Sequence, residues 1–306
     1  MLSYCPKECL VQTLTSVDIS GLKMFSRGKV RNVYDLGEQL LVLASDRISA
    51  FDHVLATGIP DKGKSLTAIS AFWFRRLEHI CPHHMISTSV DDFPPEVRQH
   101  RDLVRERSML VWKARRIDME CIVRGYLAGS AWKEYVQTGK VAGLDLPGGL
   151  GLNSRLDRPI FTPSTKSDAG HDRNITVIDM FGSLGEDLGR AIMERSLALF
   201  EEARRLADTK GITIVDTKFE FGHLGDRLIV IDEIFTPDSS RFLVEEPGSP
   251  GPINLDKQFV RDYLEKIGWD KNLPAPELPP EIAMEARRRY LVILERMTGE
   301  RPAWAR

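Results

Sequence analysis

Long apolar runs are missing from this chain of 306 residues, and no segment approaches the roughly 20 residues that a membrane-spanning helix needs. The first 25 residues also lack the apolar core of a signal peptide. Only four cysteines are present, Cys5, Cys9, Cys81 and Cys121, and no two form a CxxC pair, which argues for reduced thiols and against a structural zinc. Long runs of one charge sign are absent as well. The 42 basic and 44 acidic residues are mixed along the chain to a net charge of −2, so nothing tracks the backbone of a nucleic acid. Internal repeats and low-complexity tracts are lacking too. What remains is the expectation of a cytoplasmic enzyme acting on small molecules, with neither a nucleic-acid nor a membrane partner, as a monomer or small homo-oligomer. Its length lies at the point where a single core stops growing, about 250 to 300 residues, so two lobes are expected.

What the chain does have is charge where apolar residues dominate. Between Ile212 and Arg241, two apolar strands carry Asp216, Lys218 and Glu220 on the first and Asp232 and Glu233 on the second, followed by Asp238 and Arg241. If His223 to Asp226 forms a four-residue hairpin loop, Glu220 faces Ile229, Lys218 faces Ile231 and Asp216 faces Glu233. Alternation then puts Asp216, Lys218, Glu220 and Glu233 on one face. Thr217, Phe219, Phe221, Leu228 and Val230 take the other, together with Asp232. Facing carboxylates repel unless a cation lies between them, and hard oxygen ligands suit magnesium shared with substrate phosphates. The alternative is a solvated hairpin face with a Lys and Glu ion pair, and a one-residue change in the loop would exchange Asp232 for Glu233.

The rest of the chain changes character several times. Lys29 to Asp35 and Leu40 to Ser45 read as a hairpin, and Leu66, Ile69, Trp73, Leu77 and Ile80 predict a helix over 65–80. Ser108 to Lys113 and Met119 to Val123 read as short strands. Residues 139–173 show no period and read as a long functional loop. Ser183 with Glu186 reads as a capping box opening a helix along Leu188, Ile192, Leu199 and Leu206 that ends at Gly211. Two further helices run along Leu255, Phe259, Tyr263 and Ile267, and along Ile282, Ala286, Tyr290, Ile293 and Met297, with the Met and aromatic positions as core.

Three more segments carry chemistry. The Arg27, Gly28, Lys29 turn would let backbone amides approach a phosphate beside cations, although it is no Walker A sequence and a solvated turn lysine is the alternative. Arg124, followed by Gly125, Gly129 and Ser130, offers a planar fork and a hydroxyl to a phosphate or carboxylate, or else an interdomain ion pair. Thr162 to Asp168 with His171 and Asp172 packs hydroxyls, a cation and carboxylates together, as a closing lid or as ordinary loop composition.

Taken together, RGKVRNVYDL (27–36), SDRISAFD (45–52), IPDKGKSLT (59–67), CIVRGYLAGSAWKEY (121–135), FTPSTKSDAGHD (161–172), IVDTKFEFG (214–222) and DEIFTPDSSRF (232–242) resemble the SAICAR synthetase family of purine biosynthesis, in its longer fungal-type form. The resemblance implies a magnesium-dependent ligase. It would join L-aspartate to the carboxylate of carboxyaminoimidazole ribonucleotide through an acyl phosphate, with ATP going to ADP and phosphate. By resemblance, Gly28, Lys29 and Arg31, with Arg27 beside them, cover the ATP phosphates, and the strand of Val111, Trp112 and Lys113 meets the adenine. Arg124, Ser130 and Arg241 match positions that grip the ribonucleotide, and Asp46, Ser49, Asp52, Lys62 and Gly63 match positions near the substrate. Glu220 and Glu233 match magnesium ligands, with Asp216 as a third candidate and Lys218 aimed at the transferred phosphoryl group. Lys166 and Asp172 match lid positions near the reacting groups. The spacing leaves one difficulty, since Asp216 and Glu220 are ~13 Å apart along a strand, so a single ion between Glu220 and Glu233 requires a twist or another register, unless two ions lie along one phosphate chain.

Pattern and resemblance together imply an α+β fold of two lobes, mostly antiparallel sheet with flanking helices, and the ATP site in the cleft between them, related to kinase and ATP-grasp architectures. The lobes are expected at residues 1–116 and 117–306. Two rivals use similar residues. A small-molecule kinase needs a hydroxyl acceptor, and a non-catalytic nucleotide-binding module would tolerate loss of Lys218.

Overall fold

The computed structural model describes residues 13–166, 173–249 and 251–305. The first lobe is built on an antiparallel sheet of β1 (Lys23–Arg27), β2 (Arg31–Asp35), β3 (Gln39–Ala44), β6 (Met85–Ser87) and β7 (Ser108–Trp112), in the order β1-β2-β3-β7-β6. A small hairpin of β4 (Ser49–Ala50) and β5 (His53–Val54) follows β3. The apolar run Leu40 to Leu43 in β3 has no polar alternation because both of its faces are covered. Leu41 and Leu43 pack with Tyr34, Val97 and Val104 beneath the short helices α2 (Pro95–Arg98) and α3 (Arg101–Val104). Leu40 and Val42 point to the opposite face, toward α1 (Lys62–Leu77).

The second sheet runs in the order β12-β9-β13-β15-β16, from β9 (Met119–Tyr126), β12 (Arg155–Thr165), β13 (Thr213–Leu224), β15 (Ser240–Val244) and β16 (Ile253–Asn254). The far end of β13 pairs instead with β8 (Arg115–Arg116) and β14 (Arg227–Ile231). One face is closed by α6 (Glu186–Asp208), whose Ile192, Leu199, Phe200 and Ala203 are fully buried, with α5 (Val177–Leu184) against it. The lobes share core: Trp73 of α1 lies 5.0 Å from the ring of Phe235, which is 5.2 Å from Phe219 of β13. The chain ends in α7 (Gln258–Lys266) and α8 (Pro280–Thr298), followed by a short 3₁₀ turn. Their Val260, Leu264, Ala283 and Ala286 pack on Ile48, Leu55 and Ile59. The C-terminal helices, grouped by sequence with residues 117–306, therefore rest largely on the first lobe.

Several local expectations are corrected. The aperiodic stretch 139–173 contains β10 (Lys140–Val141), β11 (Leu144–Asp145) and the 11-residue β12, which pairs with β9 through a bulge. Its prolines and missing alternation hid a strand that is covered on one side only in part. The helix α4 (Gly129–Thr138) was not foreseen. Ser183 and Glu186 form no capping box, because Gly185 caps α6 and the box is made one helix earlier by Thr176 and Asp179. Ile267, assigned to the apolar stripe of α7, is 47% exposed.

Candidate active site

The charged strand of the sequence is β13, and its hairpin is tighter than its length suggested. Leu224 faces Arg227 across a two-residue turn of Gly225 and Asp226, so Glu220 faces Ile231 and not Ile229. The slip is two residues, which preserves the faces: Asp216, Lys218 and Glu220 stay on the polar side. By the count of the ladder it also draws Glu233 toward Glu220 by about 7 Å. That relieves the spacing difficulty.

The ladder ends at Ile231, and Asp232 adopts a left-handed backbone with φ 65°. Strand alternation stops there, so the expectation that Asp232 sits on the opposite face is overturned: it lines the cleft beside Glu233. Arg31 at the start of β2 reaches across from the first lobe, donating to Asp232 Oδ1 at 2.6 Å and pairing with Glu233. Glu233 Oε2 also accepts from Thr236 Oγ1 at 2.5 Å.

Lys218 is the centre of this wall. Its ammonium lies 2.5 Å from Glu120 Oε1 and 3.1 Å from Glu220 Oε1, and Lys166 pairs with the other oxygen of Glu220. Burial works against the charge of Lys218, but the two carboxylates outweigh it and hold the ammonium protonated far above neutral pH. Glu120 was missed in the sequence, although its signal was there: on β9 it shares a face with Arg124 by strand alternation.

At the other end of β13, Arg124 and Asp216 are cross-strand partners, as are Asp216 and Arg241. Asp216 Oδ2 accepts from Arg124 NH1 at 3.3 Å and from Arg241 NH1 at 2.5 Å. Arg124 Nε donates to Thr162 Oγ1 at 2.9 Å and its NH2 to Ser130 Oγ at 3.2 Å. Arg124 is 3% exposed, and burial lowers its pKa although Asp216 opposes the shift. Gly129 makes the pair possible: with φ 57° it starts α4, and a Cβ there would lie 2.2 Å from Arg241 NH2. Asp216, expected as a third metal-ligand candidate, is here the carboxylate shared by two guanidiniums.

These groups border one cleft of about 580 Å³ between the lobes, lined also by Lys29, Ser49, Asp238, Ser239 and Ser240. A second group that sequence reading missed, Lys257 at the start of α7 and Arg261 one helical turn on, enters it from the same side of the helix as the buried Val260 and Leu264. Burial lowers the pKa of Lys257 despite the attraction of Asp238. A larger groove of about 760 Å³ lies beside Glu134, Arg173 and Asp179, but Arg173 is its only cation, so the smaller cleft is the candidate site.

Several other predicted residues, Lys29 excepted, fall outside the cleft. Asp46, expected near the substrate, is fully buried, with Oδ1 accepting from Gly63 N and Arg107 and Oδ2 from Leu14 N. Lys62 is also fully buried, on Asp238 Oδ2 at 2.6 Å. Val111 sits inside the first sheet between Leu40 and Met85, the Trp112 and Lys113 amides donate to His84 and Glu38, and the Lys113 ammonium is held by Asp35 at 2.9 Å. Their expected adenine contact has no support in the cleft lining. Arg27 is exposed beside Asp18, and with Gly28 it lines a shallow neighbouring recess. Lys29 reaches Asp52 at 2.5 Å. Asp172 and His171 lie outside the described residues.

Asp256 adds a pH dependence. Burial raises its pKa from 3.8 to about 6, against the pull of the Gln258 and Phe242 amides that it accepts from and of Arg241. A carboxyl with a raised folded pKa stabilises below its unfolded value and loses that contribution as pH rises through the folded one. The stability of Asp256→Asn relative to the parent is therefore expected to improve from pH 4 to pH 6 and to stay level above, whatever constant cost the amide brings. Urea midpoints across that range give the answer, and a difference that does not vary with pH would refute it.

The donor set at Glu220, Asp232 and Glu233 is all oxygen, with no imidazole or thiolate in the lining, which fits a hard divalent cation. Among the described residues no three His, Cys, Asp or Glu side chains converge on one point, so such an ion would need oxygens from a ligand as well. No helix among the described residues is long and apolar enough to cross a membrane.

Comparisons with known proteins give this geometry a family. The chain is 52% identical over 289 residues to the phosphoribosylaminoimidazole-succinocarboxamide synthase of Geotalea uraniireducens (strain Rf4), covering 93% of this chain and 97% of that protein. It is 54% identical to the enzyme of the same name from Pelobacter propionicus (strain DSM 2379 / NBRC 103807 / OttBd1), over 92% of this chain and 96% of that one. Among solved structures, SAICAR synthase from Saccharomyces cerevisiae, complexed with SAICAR, is 37% identical with a TM-score of 0.85, covering 95% of this chain and all of that one. SAICAR synthetase from Pyrococcus horikoshii OT3 has a TM-score of 0.66 at 25% identity, covering 89% of this chain and 99% of that one. The longer form anticipated from the fungal resemblance is shared with bacterial relatives. Residues 24–276 match the family model of SAICAR synthetase, and the chain belongs to that family.

Proposed function

We propose that the cleft joins L-aspartate to the carboxylate of carboxyaminoimidazole ribonucleotide, giving SAICAR, ADP and phosphate in purine biosynthesis. The observation that carries this reading is family membership over most of the chain, with relatives of that activity at about half identity. The cleft supports it, since cations from both lobes face inward around a buried, charged lysine.

A carboxylate and an amine do not condense in water unaided. ATP first phosphorylates the carboxylate of the ribonucleotide, and the amine of aspartate then displaces phosphate from the acyl phosphate. Catalysis reduces to positioning and charge neutralisation. Arg124, Ser130 and Arg241 hold the 5′-phosphate of the ribonucleotide, where two guanidiniums and a hydroxyl already converge. Lys29 and Arg31, with the Gly28 turn, cover the ATP phosphates. The Lys218 ammonium meets the phosphoryl group in transfer, and Lys166 sits by the reacting carboxylate. Glu220 and Glu233, joined by Asp232, are the residues that would hold Mg²⁺. The ion would neutralise phosphate charge. Residues 1–116 and 117–306 act as the two lobes, the C-terminal helices of the second packing back on the first, in a cytoplasmic monomer or small homo-oligomer.

Coupled measurement of ADP formation tests the reading. Turnover is expected to require both L-aspartate and the imidazole ribonucleotide. ADP formation with a hydroxyl acceptor and no aspartate would make the protein a kinase instead.

A further inference from the structure

The turn from Gly28 to Val30 is held from beneath by two residues of the SDRISAFD stretch, Ser45 and Arg47, to which the mechanism above gives no role. Arg47, half-buried, donates from Nε to the Lys29 carbonyl at 2.8 Å and from NH2 to the Gly28 carbonyl at 3.1 Å. Its NH1 donates to the Thr15 carbonyl at 3.0 Å, and NH2 also reaches Asn32 Oδ1 at 3.0 Å. Two residues earlier, Ser45 takes the next carbonyl, Val30 O, with both its hydroxyl at 2.7 Å and its amide at 3.0 Å. Asn32 is fully buried and donates in turn to Val17 O at 2.6 Å.

Three consecutive carbonyls of the turn are therefore drawn to one side, toward Ser45 and Arg47. The Gly28 amide closes the turn on Arg31 O, while those of Lys29 and Val30 find no acceptor among the described residues, and both residues line the cleft. Arg47 is also a cation without a carboxylate: among the described residues none lies within ion-pair distance of it, and burial beside Arg27 lowers its pKa. A guanidinium spent on carbonyl oxygens keeps its full charge under the turn. Such a charge favours an anion above.

We infer that Arg47 is a positioning residue for the nucleotide, fixing the Gly28 to Val30 turn in the form whose free amides meet the ATP phosphates and adding positive charge behind them. The inference rests on the reading that this turn covers ATP. Arg47 touches no substrate. It acts through the backbone that does.

Steady-state kinetics on the full chain with Arg47→Lys, Arg47→Gln and Lys29→Ala separate the possibilities. Arg47→Lys keeps the charge but loses the fork, so KM for ATP is expected to rise about tenfold. The KM values for aspartate and the ribonucleotide, and kcat, should change by less than about twofold. Arg47→Gln, which loses both, should raise KM for ATP further. Equal changes in all three KM values, or an unchanged KM for ATP, would overturn the role of Arg47. If Lys29→Ala changes KM for the ribonucleotide and leaves that for ATP alone, the assignment of the turn to ATP fails first. A melting temperature that falls in Arg47→Gln with no selective change in KM would make the residue merely structural.

Discussion

Lys218→Ala is expected to lower kcat by roughly two to three orders of magnitude, the size of effect seen when one preorganised donor is removed from a developing charge. The reason is specific to this cleft. Lys218 is the cation between Glu120 and Glu220, and the cations nearest it in function are already committed, Lys166 to Glu220 and Arg31 to Asp232 and Glu233. Nothing on the wall can replace its ammonium at the phosphoryl group. The fold should survive, because the buried Thr217 and Phe219 that flank Lys218 on β13, and Phe221 beyond them, point to the other side. Loss of the charge does leave Glu120 and Glu220 facing each other, so Lys218→Arg serves as the second variant. It should restore the melting temperature and leave turnover low, because a planar fork cannot occupy the place of a compact ammonium. Retention of more than about a third of kcat in Lys218→Ala would sink the catalytic assignment, the threshold being far outside the range expected for a lost donor.

Asp216→Ala is expected to cost about 3 to 5 kcal/mol of stability, the penalty for removing one partner of a buried charge cluster. Arg124 and Arg241 share a single oxygen of Asp216, and without it the buried Arg124 and the partly buried Arg241 are left as two guanidiniums with no carboxylate between them. An anion can take the place of the carboxylate. Inorganic phosphate, or the ribonucleotide, should therefore raise the melting temperature of Asp216→Ala more than that of the parent, in which Asp216 already neutralises part of the charge. Equal shifts in the two proteins would show that the pocket between Arg124 and Arg241 is no phosphate site. Asp216→Asn keeps the shape and one acceptor, and should fall between them in stability.

Much of this site was readable from the chain. Charges on strands that are otherwise core stand out because burial would be costly unless they face a ligand or each other. Strand alternation then placed Asp216, Lys218 and Glu220 together, and a register error of two residues did no harm because the side-chain period is two. Alternation failed at Asp232, where a left-handed residue ends the strand and turns the side chain into the cleft. A backbone of that kind is sparsely populated and held by its surroundings, so no local pattern announces it. Glu120 was legible from Arg124 on the same strand. Lys257 and Arg261 were hidden among the apolar residues of their own helix, since by helical spacing they share a face with Val260 and Leu264, which reads as core.

The sequence by itself determined the family, the polar face of β13 and the residue types that meet phosphate, because these depend on local periodicity and on motifs that survive without neighbours. Only the tertiary structure decided which charges neutralise which. It set Asp216 between two arginines, spent Asp46 on the backbone around Gly63 and put Arg47 beneath the Gly28 turn. Each of those pairings joins residues distant in the chain, and Coulomb attraction and desolvation depend on distance and burial in the folded molecule.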